Sequence, residues 1–183
     1  MFDKIVLFLS LQNSFFYFCM TKKEPIMMTG QKINNPSPKF NDEQIAPMHT
    51  CEHIVNRTMI NLFNCNRAIE AHIEKKKSKM DFALSFEPSE EEIRQIEEMV
   101  NEVIKCNLPV TMEYIKQEEA MNKFDMKRLP DNASETVRIV KVGDYDECLC
   151  IGIHVKDTSQ IGTFKIISHS YDNGILRMRF KLL

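Results

Sequence analysis

The sequence predicts an α+β domain in which an antiparallel sheet carries helices packed on one side. Two stretches, starting near Ala46 and Ser89, repeat apolar residues at helical spacing, whereas other segments alternate apolar and polar residues with the period of a half-buried strand. Several alternating segments come in pairs joined by short turns, and Asn173-Gly174 is a strong signal for a tight hairpin. Helices interleaved with hairpins give the α+β class. At 183 residues the chain suits one domain with a real core and is short for two.

Residues 1–40 are expected to be an irregular leader and residues 41–183 the folded unit. An apolar run, Ile5–Leu11, follows Lys4 and is extended by Phe15–Cys19, but Gln12, Asn13 and Ser14 interrupt it. The run is too short for a spanning helix, and no small-residue cleavage site follows. It reads as sequence upstream of a true start at Met20, Met27 or Met28 rather than as a signal or anchor. Pro25, Gly30, Pro36 and Pro38 then break regular structure up to Phe40.

The first helix is predicted over Ala46–Phe63, with Val55, Met59 and Leu62 as its apolar stripe. Strands are predicted over Ala71–Glu74 and Met80–Phe86 around a lysine turn, with Met80, Phe82, Leu84 and Phe86 on the apolar face. Ser89 and Glu92 form a capping box for a helix reaching Cys106, whose core stripe is Ile93, Ile96, Val100, Val103 and Ile104. A strand over Pro109–Tyr114 and a short helix over Gln117–Phe124 follow. Four more strands are predicted over Thr136–Val142, Glu147–Cys150, Gly162–Ser170 and Ile175–Leu182. No internal repeat is visible.

Composition narrows the function. Hydrophobic and charged fractions of 43% and 27% are those of a soluble globular protein. A net charge of −2 gives no overall basic footprint, so any RNA contact must come from a local patch. Six cysteines without a regular framework fit a reducing, cytoplasmic compartment better than a disulfide scaffold. Neither G-x-x-x-x-G-K-[ST] nor G-x-G-x-x-G is present, so no nucleotide cofactor is expected.

The residues richest in chemistry are two pairs spaced by four. His49 and His53 in PMHTCEHIV would share a helix face, and Cys150 and His154 lie in CLCIGIHVKDTSQIG. Either pair alone reads more readily as packed core residues. Together they make three imidazoles and one thiolate, a set suited to a borderline-soft tetrahedral ion such as Zn2+. The site would join a helix to a strand end, and its closure would couple metal binding to folding.

The flanks of both pairs resemble the threonyl/alanyl-tRNA synthetase second additional domain, an aminoacyl-tRNA editing domain. That family reads V-R-V-V…G-D-F/Y, then C-G-G-T-H-V, then T-x-x-I-G-x-F-K-I. Here Gly143-Asp144-Tyr145, Cys150, Gly152, His154-Val155, Thr158, Ile161-Gly162 and Phe164-Lys165-Ile166 match in order, and HTCEHIVNRTM resembles the family's H-x-x-x-H helix. The resemblance covers residues 47–182. It implies metal ligands at His49, His53, Cys150 and His154, with tRNA, by its acceptor end, as partner. It further implies hydrolysis of a mischarged aminoacyl-tRNA, with serine or glycine on alanine tRNA as the expected substrate, by a free-standing editing protein that is not a ligase. No membrane partner is implied, and the oligomeric state stays open. The metal would activate water or hold the substrate's amino group.

The chain departs from the pattern beside the ligands. Ile151 and Ile153 flank Gly152 where the family has small residues and a hydroxyl; with Thr50 they are the expected substrate pocket. Glu52, inside the histidine pair, is a candidate general base or a solvated carboxylate. Cys148 shares a strand face with Cys150 and is a competing ligand or a buried thiol. Lys75, Lys76, Lys77 and Lys79 form the best basic patch, for RNA contact or simply as a solvated hairpin tip. His72 and His169 read as ordinary polar or packed residues. Two other functions remain in play. One is a zinc-stabilised module that binds tRNA or protein without hydrolysis. The other is a different metallohydrolase or lyase, because HTCEH also fits the H-x-x-E-H helix of some zinc peptidases and of S-ribosylhomocysteine lyase.

Overall fold

A computed structural model describes residues 42–124 and 135–183. The expected leader over residues 1–40 lies outside the described residues. Within them no helix is long and apolar enough to cross a membrane.

Helix α1 (Ala46–Phe63) has the predicted bounds. It is fed by a 3-10 turn, Glu43–Ile45, whose cap Asp42 accepts a hydrogen bond from the Gln44 amide. A proline at the helix start costs nothing there, because the first amides have no intrahelical partner. The helix ends at Asn64, whose left-handed backbone (φ 50°) sends its amide to the Ile60 carbonyl. Met48, Cys51, Ile54, Val55 and Met59 are all buried, and so are His49, Thr50, His53 and Thr58. A helix buried on most of its circumference is a central one, and its polar side chains need partners. Thr50 and Thr58 find them by donating to the carbonyls four residues back, Ala46 at 2.8 Å and Ile54 at 2.9 Å.

The strands form two antiparallel sheets rather than one. The four-stranded sheet has the order β1-β2-β7-β6, from β1 (Glu70–His72), β2 (Ser78–Ala83), β6 (Phe164–Asp172) and β7 (Ile175–Leu182). The three-stranded sheet contains β3 (Val110–Lys116), β4 (Thr136–Val142) and β5 (Asp146–Leu149) in chain order. The division has a local cause. The segment between β5 and β6 is tied to helices: the Val155 amide donates to Thr50 Oγ1, and Thr158 Oγ1 donates to the Ile104 carbonyl. Its pairing with strand backbone is correspondingly brief, an isolated bridge between Asp157 and Pro109 just before β3.

Strand β2 starts earlier and stops earlier than its alternation suggests. Ser78, buried, bonds both the amide and the carbonyl of Glu74 across the lysine turn, and β2 then pairs with β7 from Ser78 to Ala83. Met80, Phe82 and Leu84 face the core as expected. Phe86 does not: it lies beyond the strand, is exposed, and meets Phe63 edge-on. The β6–β7 hairpin turns at Asn173 and Gly174 with φ of 49° and 79°, the left-handed pair such a turn demands.

Helix α2 (Glu90–Lys105) begins with the predicted capping box, Ser89 and Glu92 bonding reciprocally. Its stripe of Ile93, Ile96, Val100, Val103 and Ile104 is buried. Asn101 fixes the helix to β6, accepting from the Phe164 amide and donating to its carbonyl, both at 2.9 Å. Helix α3 (Gln117–Met121) is a single short turn after β3.

Candidate metal centre

His49 and His53 come from consecutive turns of α1, while Cys150 and His154 come from the segment leaving β5. One ligand atom from each lies within 4.8 Å of every other. Cys150 Sγ stands 3.4 Å from His49 Nε2 and 3.3 Å from His154 Nε2. Bonds of about 2.0–2.3 Å to a common tetrahedral ion would put donors about 3.3–3.7 Å apart. The fold thus brings all four expected residues together in a group that could hold a metal ion.

The ring orientations are set by the backbone. His49 Nδ1 lies 3.2 Å from the Ile153 carbonyl, which can only accept, so Nδ1 carries the proton. His154 Nδ1 lies 3.2 Å from Thr50 Oγ1, whose own proton goes to the Ala46 carbonyl. His154 Nδ1 must therefore donate to that oxygen. Both imidazoles then present a bare Nε2 to Cys150, as metal ligands do.

The Cys150–Gly152 loop is held from the other side by Arg138 on β4. Its Nε donates to the Cys150 carbonyl at 2.6 Å, and its Nη2 donates to the Gly152 carbonyl. Gly152 itself is packed against the His49 ring: a Cβ there would lie 2.0 Å from His49 Cε1. No other residue fits with the ring in this position.

The surrounding charges match the chemistry of a cation site. Burial opposes ionisation of the Cys150 thiol, but the rings of His154, His49 and His53 around Sγ hold it well below the usual thiol range. Burial pushes His154 down to about 4, so it is neutral at physiological pH, as a ligand must be. His53 moves the other way: burial opposes the cation, yet Cys148 and Asp146 raise it well above the usual range. The field that favours a proton there favours a metal ion for the same reason.

The remaining expected residues fall in distinct places. A Glu52 carboxylate oxygen lies 3.7 Å from His49 Nε2, the nitrogen that faces Cys150. Thr50 is buried and orients His154 and the Val155 amide. Ile151 is exposed, and Ile153 is half-buried. Cys148 Sγ is 3.4 Å from His53 Nδ1, which makes it a neighbour of the site. Lys76 and Lys77 are exposed. Lys75 instead pairs with Asp42 at 2.6 Å and Lys79 with Glu70 at 3.3 Å, which ties half of the basic patch to the fold. His72 is exposed beside Glu74, and His169 pairs with Glu90.

Two elements of the site escape sequence reasoning. Arg138 reads as an ordinary strand residue, although a lone charge inside Val137-Arg138-Ile139-Val140 is a usable signal. Asp146 is fully buried, with Arg57 Nε at 2.9 Å and Arg67 Nη2 at 2.5 Å on its Oδ1. Its partners lie 89 and 79 residues away, a pairing no local pattern encodes.

Comparison with known proteins gives the family. Residues 137–177 match the family model described as the threonyl and alanyl tRNA synthetase second additional domain. The chain is 32% identical over 141 residues to an alanine-tRNA ligase of Fervidobacterium nodosum, covering 76% of this chain and 16% of the relative. An alanine-tRNA ligase of Caldicellulosiruptor saccharolyticus is 35% identical over 142 residues, covering 75% and 16%. One from Pseudoalteromonas translucida is 33% identical over 129 residues, covering 70% and 15%. The chain thus spans about a sixth of the length of these curated relatives. The matched segment runs from β4 through Cys150 and His154 into β7, and the chain belongs to the threonyl and alanyl tRNA synthetase second additional domain family.

Proposed function

We propose that this domain is a zinc-dependent editing hydrolase. It would deacylate mischarged aminoacyl-tRNA in trans, with serine or glycine on alanine tRNA as substrate. The observation that carries the reading is the convergence of His49, His53, Cys150 and His154 in a member of this family. Zinc bound there would polarise an ester carbonyl or acidify a water molecule. The chain's own residues supply the rest. Arg138 and Thr50 hold the ligand loop and the His154 ring in place before substrate arrives. Glu52, 3.7 Å from His49 Nε2, would take a proton from an attacking water. Gly152, Ile151 and Ile153, with Thr50 buried behind them, would line the aminoacyl position, and the exposed Lys76 and Lys77 would meet tRNA phosphates. Such a hydrolase would work where tRNA is charged, in the cytoplasm.

A second reading is a zinc-stabilised tRNA-binding module without hydrolysis. Four protein donors form a closed set, and catalytic zinc usually keeps a position open. Purified protein should be presented with Ser-, Gly- and Ala-charged alanine tRNA and with a threonine-tRNA series, using Cys150→Ala as control. Metal-dependent release of serine or glycine, with the cognate ester spared, is the expected result. Equal inactivity of wild type and Cys150→Ala on every substrate, with zinc bound to the wild type, would leave the binding module.

A further inference from the structure

Beside the metal ligands lies a buried carboxylate with a task left over. Asp146 has no exposed side-chain surface. Both arginines reach its Oδ1: Arg57 at 2.9 Å and Arg67 at 2.5 Å. Its Oδ2 makes no hydrogen bond among the described residues, and His53 Nδ1 lies 3.5 Å from it. A buried carboxylate oxygen is costly unless a donor meets it, and the His53 ring is placed to do so. Closing the gap by a few tenths of an ångström would make a charge-assisted hydrogen bond.

We infer that Asp146 is the positioning residue of the metal centre, holding His53 through Nδ1–H so that Nε2 is the metal ligand. The inference rests on the metal reading above. His49 and His154 have their Nδ1 protons fixed by an Ile153 carbonyl and a Thr50 hydroxyl. His53 Nδ1 instead faces Asp146 Oδ2 at 3.5 Å beside the Cys148 sulfur at 3.4 Å, and the carboxylate is the stronger acceptor. A carboxylate there does more than orient the ring, because it raises the basicity of the ligand nitrogen. The two arginines keep the carboxylate charged and fixed, and they argue against Asp146 binding the metal itself, since a second cation would face both guanidiniums. Cys148 Sγ, 3.4 Å from Nδ1 and 3.9 Å from Nε2, lies along the ring edge and competes for the same proton.

The test uses Asp146→Asn in the full chain. The arginines would claim the amide oxygen and leave the NH2 group facing His53. That forces the proton onto Nε2 and blocks the ligand nitrogen. Zinc affinity, measured by chelator competition, should fall about 10–100-fold. In a His53→Gln background the same substitution should change it little, because the effect acts through that ring. An equal loss in both backgrounds would make Asp146 merely structural and overturn the inference. A second, Cys148-dependent zinc equivalent in the wild type would overturn it too, by making Asp146 a ligand. Absence of zinc binding in the wild type would instead remove the metal reading and the inference with it. Should Asp146→Asn fail to fold, 15N spectra of the wild-type zinc form decide. A protonated Nδ1 and a metal-bound Nε2 on His53 support the assignment, and the reverse overturns it.

Discussion

Gly152 and His49 are in direct contact at the candidate metal centre: a single added carbon on Gly152 would overlap the imidazole, 2.0 Å from Cε1 and 2.4 Å from Nδ1. The glycine is needed for space, since its backbone does not lie in the left-handed region. Its carbonyl is held by Arg138 and the next carbonyl accepts from His49, so neither chain segment can retreat cheaply.

Gly152→Ala should therefore displace His49 and lose zinc without unfolding the sheets. Metal analysis after gel filtration should fall from about one zinc per chain to well below it. Ile151→Ala, one residue away and exposed, should keep full zinc. Equal zinc in both variants would mean the ring moves aside freely.

Arg138 links the two sides of the loop, and its removal should be felt in both stability and metal. Arg138→Ala deletes hydrogen bonds from a charged donor to the Cys150 and Gly152 carbonyls. Bonds of that kind contribute about 1.5–3 kcal/mol each. The expected outcome is a lower melting temperature together with faster zinc loss to a chelator. Arg138→Lys, able to reach one carbonyl at a time, should fall between. A variant melting as wild type and holding zinc as tightly would show the loop is fixed by the metal alone.

How much of this was legible follows the range of each interaction. The bounds of α1, β4 and β7 and the Ser89–Glu92 box are set by neighbours within a turn or by strict alternation, so Ala46–Phe63, Thr136–Val142 and Ile175–Leu182 read directly. The convergence of His49, His53, Cys150 and His154 read because spacing by four carries its own geometry. Phe86 did not, because the end of β2 is decided by where β7 stops pairing with it. The division into two sheets depends on Thr50 and Thr158 drawing the linking segment onto helices. Asp146 with Arg57 and Arg67 is a non-local charge cluster, and only the fold assembles it.

Asp81 on β2 and Arg177 on β7 give a pH signature away from the metal. They face each other in register, at 2.9 and 2.5 Å. The Arg177 guanidinium beside Asp81 holds its carboxyl below the usual carboxylate range, with burial opposing. A depressed folded pKa contributes stability above the unfolded value of about 3.9, and that stability is lost as pH falls through the folded value. Asp81→Asn should thus lower the melting temperature by a constant amount between about pH 5 and 7. The gap to wild type should shrink below about pH 4. A gap that widened on acidification would contradict the pairing.

Ile153 is the residue through which the aminoacyl group should be chosen. It sits between Gly152 and His154, its backbone carbonyl holding His49 while its side chain is half-buried. Backbone and side chain thus have separable tasks. Ile153→Ala should leave zinc content unchanged, because the carbonyl that orients His49 remains. The removed methylenes would enlarge the space beside the metal and favour bulkier aminoacyl esters over glycine. A difference of one methylene in such a pocket changes selectivity by about 10–200-fold. The ratio of deacylation rates for Ser- and Gly-charged alanine tRNA, by wild type and Ile153→Ala at equal zinc occupancy, measures it. Ile151→Ala should shift that ratio less, since its side chain is 57% exposed. If Ile151 shifts the ratio and Ile153 does not, the ester is bound from the opposite side of the loop. The discrimination would then rest on the outer face.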